Sequence, residues 1–120
     1  MPRVLLVEDL EELCVALSKL ISRGGLEVRC VTNVSDARAA AQEESFELAV
    51  VDAHLGPDSG LELVRTLAEE FPKMQFLVMS GYSAAHLHMK PNKRVNFLAK
   101  PFSPSRLIDR IREILDERVA

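Results

Sequence analysis

Five side chains able to do chemistry stand at the ends of short apolar runs in this chain of 120 residues. Val4-Leu5-Leu6-Val7 runs into Glu8-Asp9, Leu48-Ala49-Val50-Val51 into Asp52, and Phe76-Leu77-Val78-Met79 into Ser80. A weaker run, Val95-Asn96-Phe97-Leu98-Ala99, ends on Lys100-Pro101. Brought together, Glu8, Asp9 and Asp52 would repel one another unless raised pKa values or a cation relieved them. A hard divalent cation with oxygen ligands meets that need. Mg2+ fits best, because it keeps several waters and takes one or two carboxylates plus a phosphate oxygen. The set therefore points to phosphoryl chemistry. Asp52 would be a nucleophile forming an aspartyl phosphate, Lys100 a point charge for phosphoryl oxygens, and Ser80 a hydroxyl donor.

Each residue also has an ordinary reading. Asp9 precedes a helix pattern and reads as its cap, and Glu8 reads as a solvated loop acid. Asp52 alone would cap the following turn, Ser80 before Gly81 suits a loop, and Lys100 alone is a surface cation. What separates the two readings is joint placement. Independent caps and loop residues have no reason to fall at the C-terminal ends of different apolar runs.

Unbroken runs of this kind suggest strands buried on both faces, as in a parallel sheet covered by helices. The C-terminal ends of such strands share one edge, where open α/β sheets place their sites. The intervening segments read as helices and one exposed strand. Residues 10–22 put Leu13, Leu17, Leu20 and Ile21 on one helical face, and Gly24-Gly25 stops the helix. Leu26, Val28 and Cys30 alternate with Glu27 and Arg29, the pattern of a half-exposed edge strand. Residues 35–42 are Ala-rich and helical, and 54–60 read as a loop. Leu61, Val64, Leu67, Ala68 and Phe71 stripe a third helix closed by Pro72. Ser103 caps a last helix with Pro104 at its first position and Leu107, Ile108, Ile111, Ile114 and Leu115 as its apolar stripe.

The expected fold is α/β, a flavodoxin-like (βα)5 three-layer sandwich with strand order 2-1-3-4-5. One domain would span residues 1–120, with no output domain. The weak place is Ser83–Arg94, where Pro91 interrupts any helix. The fourth helix should be short or irregular. Its His86, His88, Lys90, Lys93 and Arg94 form a basic cluster, read either as a solvated loop or as a partner-docking segment.

Composition narrows the function classes. A net charge of −3 and a pI near 5.6 argue against a broad nucleic-acid surface, and the absence of Trp against base-stacking platforms. No apolar stretch approaches the roughly 20 residues that span a bilayer, and the N-terminus lacks a signal-peptide pattern, so the cytoplasm is expected. Cys14 and Cys30 sit among apolar neighbours and read as buried thiols, neither a zinc site nor a disulfide framework.

Four motifs, in this order and spacing, carry a family resemblance over the full length. They are Val4-Leu5-Leu6-Val7-Glu8-Asp9, Val50-Val51-Asp52 with Gly60 eight residues on, Met79-Ser80-Gly81-Tyr82, and Phe97-Leu98-Ala99-Lys100-Pro101-Phe102. The chain resembles the receiver domains of two-component response regulators, and is also similar to the receivers of hybrid sensor kinases. The resemblance implies that Asp52 accepts a phosphoryl group from a histidine kinase or histidine phosphotransfer protein. It implies Mg2+ bound directly by Asp9 and Asp52 with the backbone carbonyl of His54, and Glu8 acting largely through water. Ser80 and Lys100 would engage the phosphoryl oxygens, Ser80 and Phe97 would form a conformational switch, and Lys100–Pro101 would be cis. The implied role is regulatory rather than enzymatic, with only self-catalysed phosphotransfer and dephosphorylation.

The interval from Ser80 to Lys100 is shorter than usual for the family. That unsettles the usual signalling face around the fourth helix and favours a monomer or weak dimer. Three other functions compete. A Mg2+-dependent aspartyl-phosphate hydrolase needs a cap and a second acid two residues after its nucleophile, where His54 stands. A flavin protein needs a phosphate-binding loop after the first strand, where Glu8-Asp9 would repel phosphate. A degenerate, phosphorylation-independent receiver would have lost site residues, whereas every position here is filled.

Overall fold

The computed structural model describes residues 2–81 and 94–119, with side chains through Asp116. Along the chain run β1 (Arg3–Val7), α1 (Glu11–Arg23), β2 (Glu27–Val31), α2 (Val34–Glu43), β3 (Leu48–Asp52), a short hairpin of β4 (His54–Leu55) and β5 (Asp58–Ser59), α3 (Gly60–Glu70), β6 (Gln75–Ser80), β7 (Val95–Ala99) and α4 (Pro104–Val119). The five longer strands form one parallel sheet in the order β2-β1-β3-β6-β7. This is the expected 2-1-3-4-5 order, with the alternating strand at one edge.

The strand period of two builds two cores from the same runs. Leu5, Val7, Ala49, Val51, Phe76 and Val78 face one way, onto Ala37, Ala40 and Ala41 of α2 and Leu63, Val64 and Leu67 of α3. Val4, Leu6, Leu48, Val50, Leu77 and Met79 face the other way, onto Cys14 and Ile21 of α1 and Leu107, Ile111 and Ile114 of α4. Side chains of β1, β3 and β6 are therefore buried on both faces, which is why their runs are unbroken. Among the described residues no helix is long and apolar enough to cross a membrane.

The ends of the helices follow local chemistry. The backbone N–H groups of Gly24 and Gly25 bond to Ile21 and Ser22 carbonyls, and Gly25 adopts a φ of +86° that favours glycine. Asn33 caps α2 by accepting from the Asp36 N–H at 2.8 Å, and Ser103 caps α4 by accepting from Arg106 at 3.1 Å.

Three expectations change. The inward face of α1 centres on Cys14 and Ile21, while Leu13 stays 38 % exposed; the helix is rotated from the leucine stripe. The segment expected to be a loop before α3 contains the β4–β5 hairpin. Arg94 is no part of a solvated basic surface. Its guanidinium donates to the carbonyls of Ala68, Phe71 and Met74 and stacks 5.8 Å from the Phe76 ring, tying the end of α3 to the start of β7. The rest of the basic cluster and the fourth helix, residues 83–93, lie outside the described residues.

Candidate functional site

The upper edge of the sheet is fixed by main-chain bonds that run one residue past each strand. The Glu8 N–H donates to Val31 O at 3.1 Å, Ala53 N–H to Met79 O at 2.9 Å, and Lys100 N–H to Ser80 O at 2.8 Å. Asp52 pairs in register with Met79, and Ser80 with Ala99. These bonds hold Glu8, Asp9, Asp52, Ser80 and Lys100 at neighbouring strand ends.

One carboxylate oxygen from each of Glu8, Asp9 and Asp52 lies within 4.8 Å of the others. Lys100 Nζ donates to Asp52 Oδ2 at 2.7 Å, and the His54 N–H donates to Asp52 Oδ1 at 3.0 Å. Both Asp52 oxygens are thus engaged, and Asp52 also closes the following turn, as its ordinary reading expects. Asp9 does not cap α1: Leu10 stands at the cap position, with no side-chain cap bond. The Asp9 carboxylate is exposed and points to other uses.

Glu8 departs most from expectation. Read alone as a solvated acid, it is only 2 % exposed. Its Oε1 accepts weakly from the Leu10 N–H at 3.4 Å, and among the described residues its buried Oε2 has no hydrogen-bond partner. Burial first, and then the neighbouring Asp52 carboxylate, push Glu8 up to about 8. Burial acts to raise Asp52 as well, but the contacts with Glu8, Lys100 and the His54 N–H outweigh it and hold Asp52 below the ordinary carboxylate range. The two acids are thus split, a proton being held more readily on Glu8 than on Asp52. An orphaned buried carboxylate oxygen among three hard oxygen donors fits a divalent cation such as Mg2+.

Two glycines shape the rim. A Cβ on Gly60 would lie 1.9 Å from Asp52 O, so only glycine lets α3 start against the end of β3. Gly56, at a φ of +62°, turns the hairpin tip beside Asp9. Lys100–Pro101 is cis.

Ser80 is buried at the end of β6. Phe97 is half-buried and packs with the core on the α2–α3 side rather than among the charged groups. Sequence reasoning missed two features. The burial of Glu8 depends on the β1–β2 ladder continuing past Val7. The other is an apolar pocket of about 200 Å3 beside Glu8 and Lys100, lined by Leu13, Leu17, Leu20, Met79, Phe102 and Pro104. Its signal was present in the leucine stripe of α1, which reads equally as core.

A family model described as the response regulator receiver domain matches residues 4–112. The response regulator receiver protein CpdR of Brucella abortus is 29 % identical over 117 residues, covering 96 % of this chain and 98 % of that protein. The transcriptional regulatory protein GltR of Pseudomonas aeruginosa is 32 % identical over 116 residues; the match takes in 93 % of this chain and 48 % of that protein, so the chain spans about half its length. A CheY-like response regulator receiver domain from Methanospirillum hungatei superposes with a TM-score of 0.84 at 24 % identity, covering 98 % of this chain and 96 % of that one. That structure shares the fold.

Proposed function

The chain belongs to the response regulator receiver domain family, and from that premise we propose that Asp52 is its phosphoacceptor. The observation that carries the reading is the setting of Asp52. A nearly buried carboxylate is kept ionised between Lys100 and the His54 N–H, beside an excess of acid. An ionised carboxylate is a competent nucleophile, and the lysine is already in place for the charge that arrives.

The donor is a phosphohistidine of a histidine kinase or phosphotransfer protein. An Asp52 oxygen forms the new P–O bond while the P–N bond to the donor imidazole breaks, its electron pair leaving on nitrogen. Lys100 then exchanges the carboxylate for a phosphoryl oxygen, and the Ser80 hydroxyl donates to another. Asp9 and Asp52, with the His54 backbone carbonyl and Glu8 close by, would hold Mg2+, which supplies positive charge against the acids and the phosphoryl oxygens. The movement of Ser80 toward the phosphoryl group, with Phe97 repacking behind it, is the conformational output. The activity is that of a regulator that modifies itself, not of an enzyme with a turning-over substrate.

The donor has a surface to meet. Among the described residues the large apolar side chains that remain exposed are Leu10, Leu13 and Val15, all at the start of α1 next to Asp9. With the pocket beside Lys100 they offer an apolar seat at the rim of the acidic site.

Labelling tests the assignment. With Mg2+, acetyl phosphate should label the wild-type chain with one acid-stable, base-labile phosphoryl group, and Asp52→Asn should take up none while keeping its fold. Stoichiometric labelling of Asp52→Asn would move the acceptor elsewhere.

A further inference from the structure

Two cysteines that phosphoryl transfer does not use meet beneath α1. Cys14 lies on α1 and is fully buried; Cys30 lies on the edge strand β2 and is half-buried; both are free thiols. They belong to one apolar cluster, on the face shared by α1 and α4. Cys30 is the Cα partner of Leu6 in the β1–β2 ladder. The Cys14 Sγ bonds to the two carbonyls that bracket that pair, Leu6 O at 3.9 Å and Val31 O at 3.6 Å. The Cys14 sulfur therefore stands over the Cys30 position, on the side of the sheet that carries the Cys30 side chain. A disulfide forms only where two elements already touch, and α1 packs directly on β2.

We propose that Cys14 and Cys30 are a modification site, a dithiol that hydrogen peroxide closes into an intramolecular disulfide between α1 and the sheet edge. Cys30 reacts first because it is the half-buried member. Its thiolate attacks one peroxide oxygen, the O–O bond breaks, and Cys30 becomes a sulfenic acid with release of water. Cys14 then attacks the Cys30 sulfur, the S–O bond breaks, and a second water leaves with the proton of Cys14. Peroxide is reduced and the two thiols are oxidised, with no further reagent. Cys14 is fully buried, so it does not begin the reaction. Its fixed place over Cys30 makes the second step intramolecular, which offsets a small thiolate fraction.

The site reaches toward the acid cluster at the Val31 carbonyl. Val31 O accepts from both the Cys14 thiol and the Glu8 N–H, the latter at 3.1 Å. Closing the disulfide removes the first donor and leaves Val31 O to Glu8.

The test is hydrogen peroxide added to the native full chain, read by non-reducing intact mass and by thiol titration. The wild type should lose the mass of two hydrogens and both titratable thiols, remain monomeric, and give one peptide pair joining Cys14 to Cys30. Dithiothreitol should restore both thiols. Asp52→Asn should behave identically, which keeps this result independent of the phosphoacceptor assignment. Cys30→Ser should show no such loss and should keep a Cys14 thiol that reagents reach only after unfolding. Oxidation of Cys30 to sulfinic acid with Cys14 still free would overturn the proposal. So would a Cys30-linked dimer, or thiols that survive peroxide in the native chain and pair only after denaturation.

Discussion

At the N-terminal edge of the sheet, Arg3 pairs with Glu27 at 2.9 Å and Glu44 at 3.5 Å, while Arg29 pairs with Glu43 at 3.0 Å and Glu44 at 2.6 Å. At the C-terminal edge, three clustered carboxylates face, among the described residues, one bonded ammonium, that of Lys100. The lower charges are partly exposed, each glutamate has an arginine partner and the arginines can trade partners, so their pairing adds little to stability. The upper charges are held by strand ends, and two of the three acids are buried. Burying like charge together is unfavourable, and at Asp52 the Lys100 ammonium and the His54 N–H offset it. The contrast separates charge that decorates a fold from charge that strand ends hold together against its own repulsion.

The comparison breaks most sharply at Gly60, because the upper edge depends on main-chain packing that cannot adjust. Gly60→Ala places a Cβ at 1.9 Å from Asp52 O, a clash with backbone rather than with a movable side chain. The expected loss is about 3 kcal/mol, read from the urea midpoint, with the phosphoryl-labelling rate falling alongside it. A neutral substitution would mean that α3 can slide away from Asp52, and that the upper edge is as adaptable as the lower one.

Glu8 sharpens the comparison through pH. Its value in the folded chain is raised from the ordinary 4.5 to about 8, so between those limits the folded chain binds more protons than the unfolded chain. The stability this provides is complete below the lower limit and is lost as pH rises through about 8. The decline approaches about 1.4 kcal/mol per pH unit in a chelator-treated sample. Asp52 contributes with the opposite sign. Its lowered value gives stability that is present above the ordinary 3.8 and lost only as pH falls below it, outside the Glu8 window. Urea unfolding across about pH 5 to 8 should show the decline in the wild type, no decline in Glu8→Gln, and a smaller one with saturating Mg2+. A flat wild-type profile would place Glu8 in solvent and dissolve the contrast.

Much of this site could be read from the chain because its supports are local. Runs such as Val4–Val7 and Leu48–Val51 announce strands buried on both faces, and the residue that follows each run must then lie at the shared edge. Gly24-Gly25 and Ser103-Pro104 mark helix ends by backbone chemistry alone. What escaped was set by distant partners. The guanidinium of Arg94 is claimed by carbonyls 20 to 26 residues away in sequence, so its charge looked available. Whether Glu8 turns inward depends on Val31 extending the ladder, which no pattern around Glu8 reveals. On α1 the apolar positions are too many to choose a face. Leu13 and Cys14 are adjacent, and packing against β1 and β2 selects the cysteine.

The smallest effect belongs to the lower edge. Arg29→Ala removes the partner of two glutamates, yet Glu43 is 60 % exposed and returns to water at little cost. Glu44, at 33 % exposure, keeps Arg3 at 3.5 Å. The arginine stem also shields part of the β2 surface, so some packing is lost with the charge. The net change should fall between about 0 and 1 kcal/mol and shrink further in molar salt, which screens exposed pairs. Urea midpoints at low and high salt measure it directly. A salt-insensitive loss above about 2 kcal/mol would show that Arg29 acts as a buried, irreplaceable charge. The lower edge would then obey the same rule as the upper one, and excess charge at the strand ends would no longer distinguish a site from a surface.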